Sequence, residues 1–117
     1  MSDIPSPSQM AAVRDMYRRH PGKTQRLLRV AADMNNLEPA TLLKGMKARN
    51  SPRARKMAKI RWGVMLVARD NNISLPAIGY ALKRDHSTVH YGLAKARDLL
   101  KTDREFASYV STLELYA

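Results

Sequence analysis

Apolar residues recur along the chain at three- and four-residue intervals, and no stretch alternates for long enough to form a strand, so the sequence predicts an all-α protein. Met10, Val13 and Tyr17 mark one face of a first short helix, which Pro21-Gly22 stops. Leu27, Leu28, Ala31 and Met34 mark a second, closing at Asn35-Asn36, and a short third helix runs from Glu38 to Leu43 with Pro39 in its first turn. Met57, Ile60, Val64, Val67 and Ala68 line a longer fourth helix that ends at Asn71-Asn72, with Trp62 at the margin of its buried stripe.

Ser74 is placed to cap a fifth helix, with Pro76 in its first turn and Leu75, Ile78 and Leu82 on one side. A tight turn at Lys83-Arg84 follows. Asp85 can cap a sixth helix whose inner face is Val89, Leu93, Ala96 and Leu100, and Thr102-x-x-Glu105 has the pattern of a capping box opening a last helix with Phe106, Val110 and Leu113 inward. Val64, Val67, Ile78, Leu82, Val89 and Leu93 are expected to share one core. The helices on either side of Lys83-Arg84, with Gly79 permitting their close approach, read as a helix-turn-helix. This divides the chain into an extension over 1–22 and a compact multi-helix domain over 23–117.

A length of 117 residues suits one domain, and 44% hydrophobic residues with only five Gly and six Pro supply enough material for a core. There is no Cys, which rules out disulfides and thiolate chemistry and is compatible with a reducing cytoplasm. No long uncharged apolar run marks a spanning helix or a secretory signal. The charge changes the picture most. Twenty-one Lys and Arg against ten Asp and Glu give +11, far more than solubility needs, and point to a polyanionic partner: nucleic acid or an anionic membrane surface.

That charge is concentrated. No acid lies between Glu38 and Asp70, while the interval holds Lys44, Lys47, Arg49, Arg53, Arg55, Lys56, Lys59, Arg61 and Arg69. Lys47 to Lys56 reads as a basic loop running into a helix with no acid one turn away to balance it, and a helix start adds N–H groups that suit phosphate. The start of the sixth helix carries a second kind of chemistry. Asp85, His86, Ser87 and Thr88 are short or planar hydrogen-bonding residues where a recognition helix meets base edges: an acid can accept from cytosine N4, and a Thr methyl can touch the thymine methyl.

At these residues the sequence resembles a known family. Leu75-Pro76-Ala77-Ile78-Gly79 followed by Arg84-Asp85-His86-Ser87-Thr88-Val89 is similar to the signature of the C-terminal DNA-binding domain of the bacterial replication initiator DnaA. The resemblance extends over roughly residues 25–114, taking in Leu28 to Leu43, Lys47-Ala48-Arg49-Asn50 and Arg53-Ala54-Arg55-Lys56. It implies a module that sets the second helix of the pair in the major groove and a basic-loop Arg in the minor groove. Asp85, His86, Ser87 and Thr88 would then meet bases or adjacent phosphates, Leu75 and Pro76 would approach the backbone, Lys95 would touch phosphate, and Arg53, Arg55 and Lys56 would match basic-loop positions. The chain departs from the family in a turn one residue shorter, at Leu82-Lys83-Arg84, and in a longer stretch from Arg55 to Ser74, which leaves a second register with Arg61 in the place of Arg55. The full set expected at the DNA backbone or minor groove is Lys47, Arg49, Arg53, Arg55, Lys56, Lys59, Arg61, Leu75, Pro76, Lys83, Arg84 and Lys95.

Nothing resembles the initiator's ATPase part. Gly22-Lys23-Thr24 looks like the end of a phosphate-binding loop, but Tyr17 stands where that loop needs Gly, and the tripeptide reads as a helix stop and cap. His86 and His90 have a metal-ligand spacing without a third ligand, and Ser87 beside His86 is adjacency rather than a nucleophile held on a base. The Met residues read as core filler, with an adaptable partner surface as the alternative. The expectation is therefore a non-enzymatic, cofactor-free, cytoplasmic, nucleoid-associated binder of double-stranded DNA from a bacterium or its phage, with no membrane or small-molecule partner, acting as a transcriptional regulator. A DnaA-related modulator of replication initiation, acting on DNA or on a replication or transcription protein, is the alternative, and a general basic nucleic-acid protein is the third class.

Overall fold

The structure is a computed structural model that describes residues 22–44 and 51–117. Six helices make up the described residues, with no strand among them: α1 (Lys23–Met34), α2 (Pro39–Leu43), α3 (Pro52–Asp70), α4 (Leu75–Leu82), α5 (His86–Thr102) and α6 (Arg104–Glu114). The all-α expectation holds. The first predicted helix, around Met10, Val13 and Tyr17, lies outside the described residues, as do Met46, Lys47 and Arg49.

Short polar residues start four of the helices. Ser51 Oγ accepts from the Ala54 N–H at 3.1 Å, Ser74 Oγ from Ala77 at 3.3 Å, Asp85 Oδ1 from Thr88 at 2.6 Å and Asp103 Oδ1 from Phe106 at 3.1 Å. The capping box expected at Thr102 is thus displaced by one residue. Thr102 remains inside α5, where its hydroxyl donates to the Asp98 carbonyl at 3.3 Å, and the neighbouring carboxylate, a better cap than a Thr hydroxyl, takes the Phe106 N–H.

Three helices end in one way. In each, the first or second residue past the helix adopts a left-handed backbone, at Asn36 (φ 56°), Asn72 (φ 66°) and Lys83 (φ 56°), and the next N–H reaches back to the carbonyl of Ala32, Ala68 or Gly79. Asn tolerates this conformation because its short side chain hydrogen-bonds locally; Lys does not share that advantage.

α3 is the axis of the fold. From Gly63 to Ala68 every residue is buried, and the other five helices all pack against it. Two glycines set how closely they come. A Cβ on Gly63 would run into the Tyr109 ring of α6, and one on Gly92 would lie 2.6 Å from both Trp62 Cδ1 and Met65 Sδ of α3. Tyr109 closes its side of the contact by donating from its hydroxyl to the Ile60 carbonyl at 2.6 Å, and burial pushes its phenol well above the usual range.

Val64, Val67, Ile78, Leu82, Val89 and Leu93 do share one core, joined by Leu27, Leu42, Met57, Phe106 and Leu113. Leu100, expected inward, is 40% exposed, and Leu99 packs against the core in its place. Leu99 follows Leu93 and Ala96 on the buried side of α5, and the step to Leu100 turns past it. Among the methionines, Met57 and Met65 are core residues, whereas Met34 is 38% exposed.

Candidate nucleic-acid interface

The turn between α4 and α5 is built on two residues. The Arg84 N–H donates to the Gly79 carbonyl at 2.8 Å, and a Cβ on residue 79 would lie 2.5 Å from the Arg84 carbonyl oxygen, so α4 bends into the turn only because position 79 has no side chain. Val89 of α5 closes on the same glycine, and the pair α4–α5 forms a tight helix-turn-helix.

Within the start of α5 the expected base-reading set separates into different tasks. Asp85 is the N-cap, its Oδ1 held by Thr88 N–H. His86 is half-buried at the first helical position, its Nδ1 buried and without a hydrogen-bond partner among the described residues, and it lines a groove of about 690 Å³ together with Gln25, Leu28, Leu43, Tyr80 and Lys83. Ser87 is exposed and Thr88 half-buried. Beyond them the exposed positions continue through His90, Tyr91, Ala94 and Lys95, opposite the buried Val89, Leu93 and Ala96. His90 and Tyr91 lie outside the set expected from the first turn of this helix, although the i, i+4 spacing from Ser87 places Tyr91 on the same face.

Tyr91 is 56% exposed and held from two sides. The Trp62 ring meets it edge-on, with centroids 6.2 Å apart and an interplanar angle of 71°, and Lys95 Nζ stands 5.5 Å from its ring centroid. Trp62 reaches this position because Gly92 leaves room for the indole against α5.

The basic residues also divide. Those from Arg53 to Arg61 lie on α3 and not in a loop: Ser51 caps the helix and Pro52 occupies its first turn, the same signal as Ser74 and Pro76 before α4. Arg53, Arg55 and Lys56 are exposed in the first turns of α3, and the first turn itself contains no acidic residue. Lys59 pairs instead with the N-cap of α6, its Nζ 3.1 Å from Asp103 Oδ2. The Phe106 N–H and then the Lys59 ammonium hold the Asp103 carboxyl below its ordinary value.

Arg61 and Arg84 turn inward. Arg61 donates to the Leu42 carbonyl at 3.1 Å, and Arg84 donates to Leu43 at 2.9 Å, Leu82 at 3.2 Å, Lys83 at 3.2 Å and Lys44 at 3.1 Å. Burial lowers both guanidinium pKa values, that of Arg61 to about 10, with repulsion from Arg84 adding to the effect. Both arginines therefore satisfy the carbonyl end of α2, a task that the charge pattern alone does not distinguish from phosphate contact. Lys83 remains exposed in the turn, and Leu75 and Pro76 are half-buried at the start of α4.

No helix among the described residues is long and apolar enough to cross a membrane. In comparison with known proteins, the chain matches no protein-family model and no curated protein.

Proposed function

We propose that the protein binds double-stranded DNA with sequence preference, entering the major groove with the outward face of α5 and gripping the backbone with the basic start of α3. The observation that carries this reading is the contact of Arg84 with the carbonyls of Leu43 and Lys44. It fixes Lys44, where the acid-free interval begins, against the turn of the helix-turn-helix, while the basic start of α3 lies toward the other end of α5, where Lys59 meets Asp103, so positive charge flanks the reading helix at both ends.

Electrostatics supports the same reading. Arg53 and Lys56 are exposed near the positive end of the α3 dipole, whose first turn holds no acid, an arrangement that a neighbouring polyanion stabilises. The resemblance of Leu75 to Val89 to the DnaA signature points the same way, toward a stand-alone reader related to that domain. As such a reader the chain acts at the bacterial or phage chromosome in the cytoplasm as a regulator of transcription, and no reaction or cofactor is assigned to it.

The test is a competition titration with a duplex selected from a random pool, a scrambled duplex and an RNA of equal length. The selected duplex is expected to bind at least tenfold more tightly than either competitor at the same salt. Equal affinity for all three would reduce the protein to a polycation and overturn the reading.

A further inference from the structure

We propose that Tyr91 is a specificity-determining residue of the DNA-reading face, meeting a base edge one helical turn beyond Ser87, with Lys95 beside it on the backbone. This inference rests on the DNA-binding reading above and adds to it a residue outside the first turn of α5.

Placement comes first. Ser87, Tyr91 and Ala94 follow i, i+4, i+7 and form one exposed stripe opposite the buried Val89, Leu93 and Ala96. Four residues of helix advance about 6 Å. That is close to two base-pair steps of about 3.4 Å each, so a helix that brings Ser87 to one base pair brings Tyr91 near another. Ser87 and Ala94, flanking the ring, are small enough to let the helix backbone approach the groove floor.

Preorganisation is the second argument. An exposed tyrosine normally samples several rotamers, but here the ring is braced by the edge of Trp62 at 6.2 Å, and Trp62 is itself seated against Gly92. The ring thus offers contact area and a hydroxyl at little further loss of side-chain freedom. In the major groove that hydroxyl can donate to a purine N7, a guanine O6 or a thymine O4.

Lys95 completes the arrangement. Its ammonium lies 5.5 Å from the Tyr91 centroid, where it positions the ring and remains exposed to a phosphate. Exposure of more than half the Tyr91 surface argues against a purely structural role, since the hydrophobic core is complete without it.

The experiment selects preferred duplexes from a random pool with the full wild-type chain, then titrates wild type, Tyr91→Phe, Tyr91→Ala and Ser87→Ala against the selected and a scrambled duplex, with circular dichroism confirming each fold. Tyr91→Ala is expected to lose roughly tenfold or more on the selected duplex and less than about twofold on the scrambled one. Tyr91→Phe, which keeps the ring and its packing on Trp62, is expected to lose roughly threefold to tenfold on the selected duplex only. Selection repeated with Tyr91→Ala should become degenerate at a position about two base pairs from the one that Ser87→Ala relaxes. Equal losses on both duplexes, or an unchanged selected sequence, would overturn the assignment of Tyr91. If Ser87→Ala relaxes the selected sequence while Tyr91→Ala does not, only this inference fails; if wild type selects no sequence, the DNA-reading proposal itself fails with it.

Discussion

Gly79 and Arg84 meet twice across the turn that joins α4 to α5: the Arg84 N–H donates to the Gly79 carbonyl at 2.8 Å, and the Arg84 carbonyl fills the space a Cβ on residue 79 would need. An alanine in an unconstrained helix gains about 1 kcal/mol over glycine. At position 79 that gain is opposed by a backbone collision. Gly79→Ala is expected to destabilise the fold by about 1–3 kcal/mol, read as a lower urea midpoint. A raised midpoint would show that the turn does not require the glycine.

Lys83 supplies the converse case. Its backbone is left-handed at φ 56° and its side chain is exposed, so the position carries strain without buried contacts to compensate. Lys83→Gly is expected to leave stability unchanged or raise it by up to about 1 kcal/mol, the relief of left-handed strain being partly cancelled by glycine's entropy. The same variant should bind duplex DNA slightly less tightly through the lost charge. A fall in midpoint would mean that the lysine stem packs in the turn.

Arg84 and Arg53 separate structural from phosphate-binding charge. Arg84→Ala strips donors from the carbonyls of Leu43 and Lys44 and should cost about 1–3 kcal/mol of stability. Arg53→Ala, at an exposed position, should stay within about 0.5 kcal/mol of wild type while weakening binding to every duplex. Urea denaturation and a titration on scrambled DNA distinguish the two; identical behaviour of both variants would contradict the division.

The backbone grip predicts a salt dependence. If about five to eight phosphates are neutralised, the logarithm of the binding constant should fall with the logarithm of salt at a slope of roughly −4 to −7. Replacing Arg53 or Lys56 by Ala should flatten that slope by about one each. Affinity independent of salt would be incompatible with the basic start of α3 as a phosphate site.

Acid should loosen the junction of α5 and α6. Asp103 has a folded pKa below its ordinary value of 3.8, so its contribution is fully present above that value and is lost as pH falls through the folded pKa. Wild type should therefore lose stability on acidification below about pH 4, and Asp103→Asn should lack that component while being less stable at neutral pH. The check is the urea midpoint of both proteins across this range. Parallel curves would remove Asp103 as the source.

Helix positions were legible in the sequence wherever apolar spacing coincided with a chemical punctuation mark. Asn35-Asn36 and Asn71-Asn72 stop α1 and α3, and Ser74 and Asp85 start α4 and α5, because each residue type satisfies backbone groups that a helix end leaves open. Ser51-Pro52 carried the same signal, hidden inside a run of positive charge. What spacing could not reveal was the destination of individual arginines. Arg61 reaches the Leu42 carbonyl of α2 while Arg53, two turns earlier on α3, is exposed, a difference set by packing between helices distant in sequence. His86 and Tyr91 illustrate the same point on α5: identical helical chemistry, but one lines a groove beside α1 while the other faces outward against Trp62.

The clamp that Arg61 and Arg84 place on the last carbonyls of α2 has an architectural consequence. Leu42 is tied to the middle of α3 and Leu43 and Lys44 to the turn before α5, so the end of α2 brackets two helices that are far from it in sequence. A five-residue helix too short to stand alone thereby becomes the spacer that sets how the start of α5 sits against α3, and altering its end should re-aim the reading helix without touching a residue of that helix.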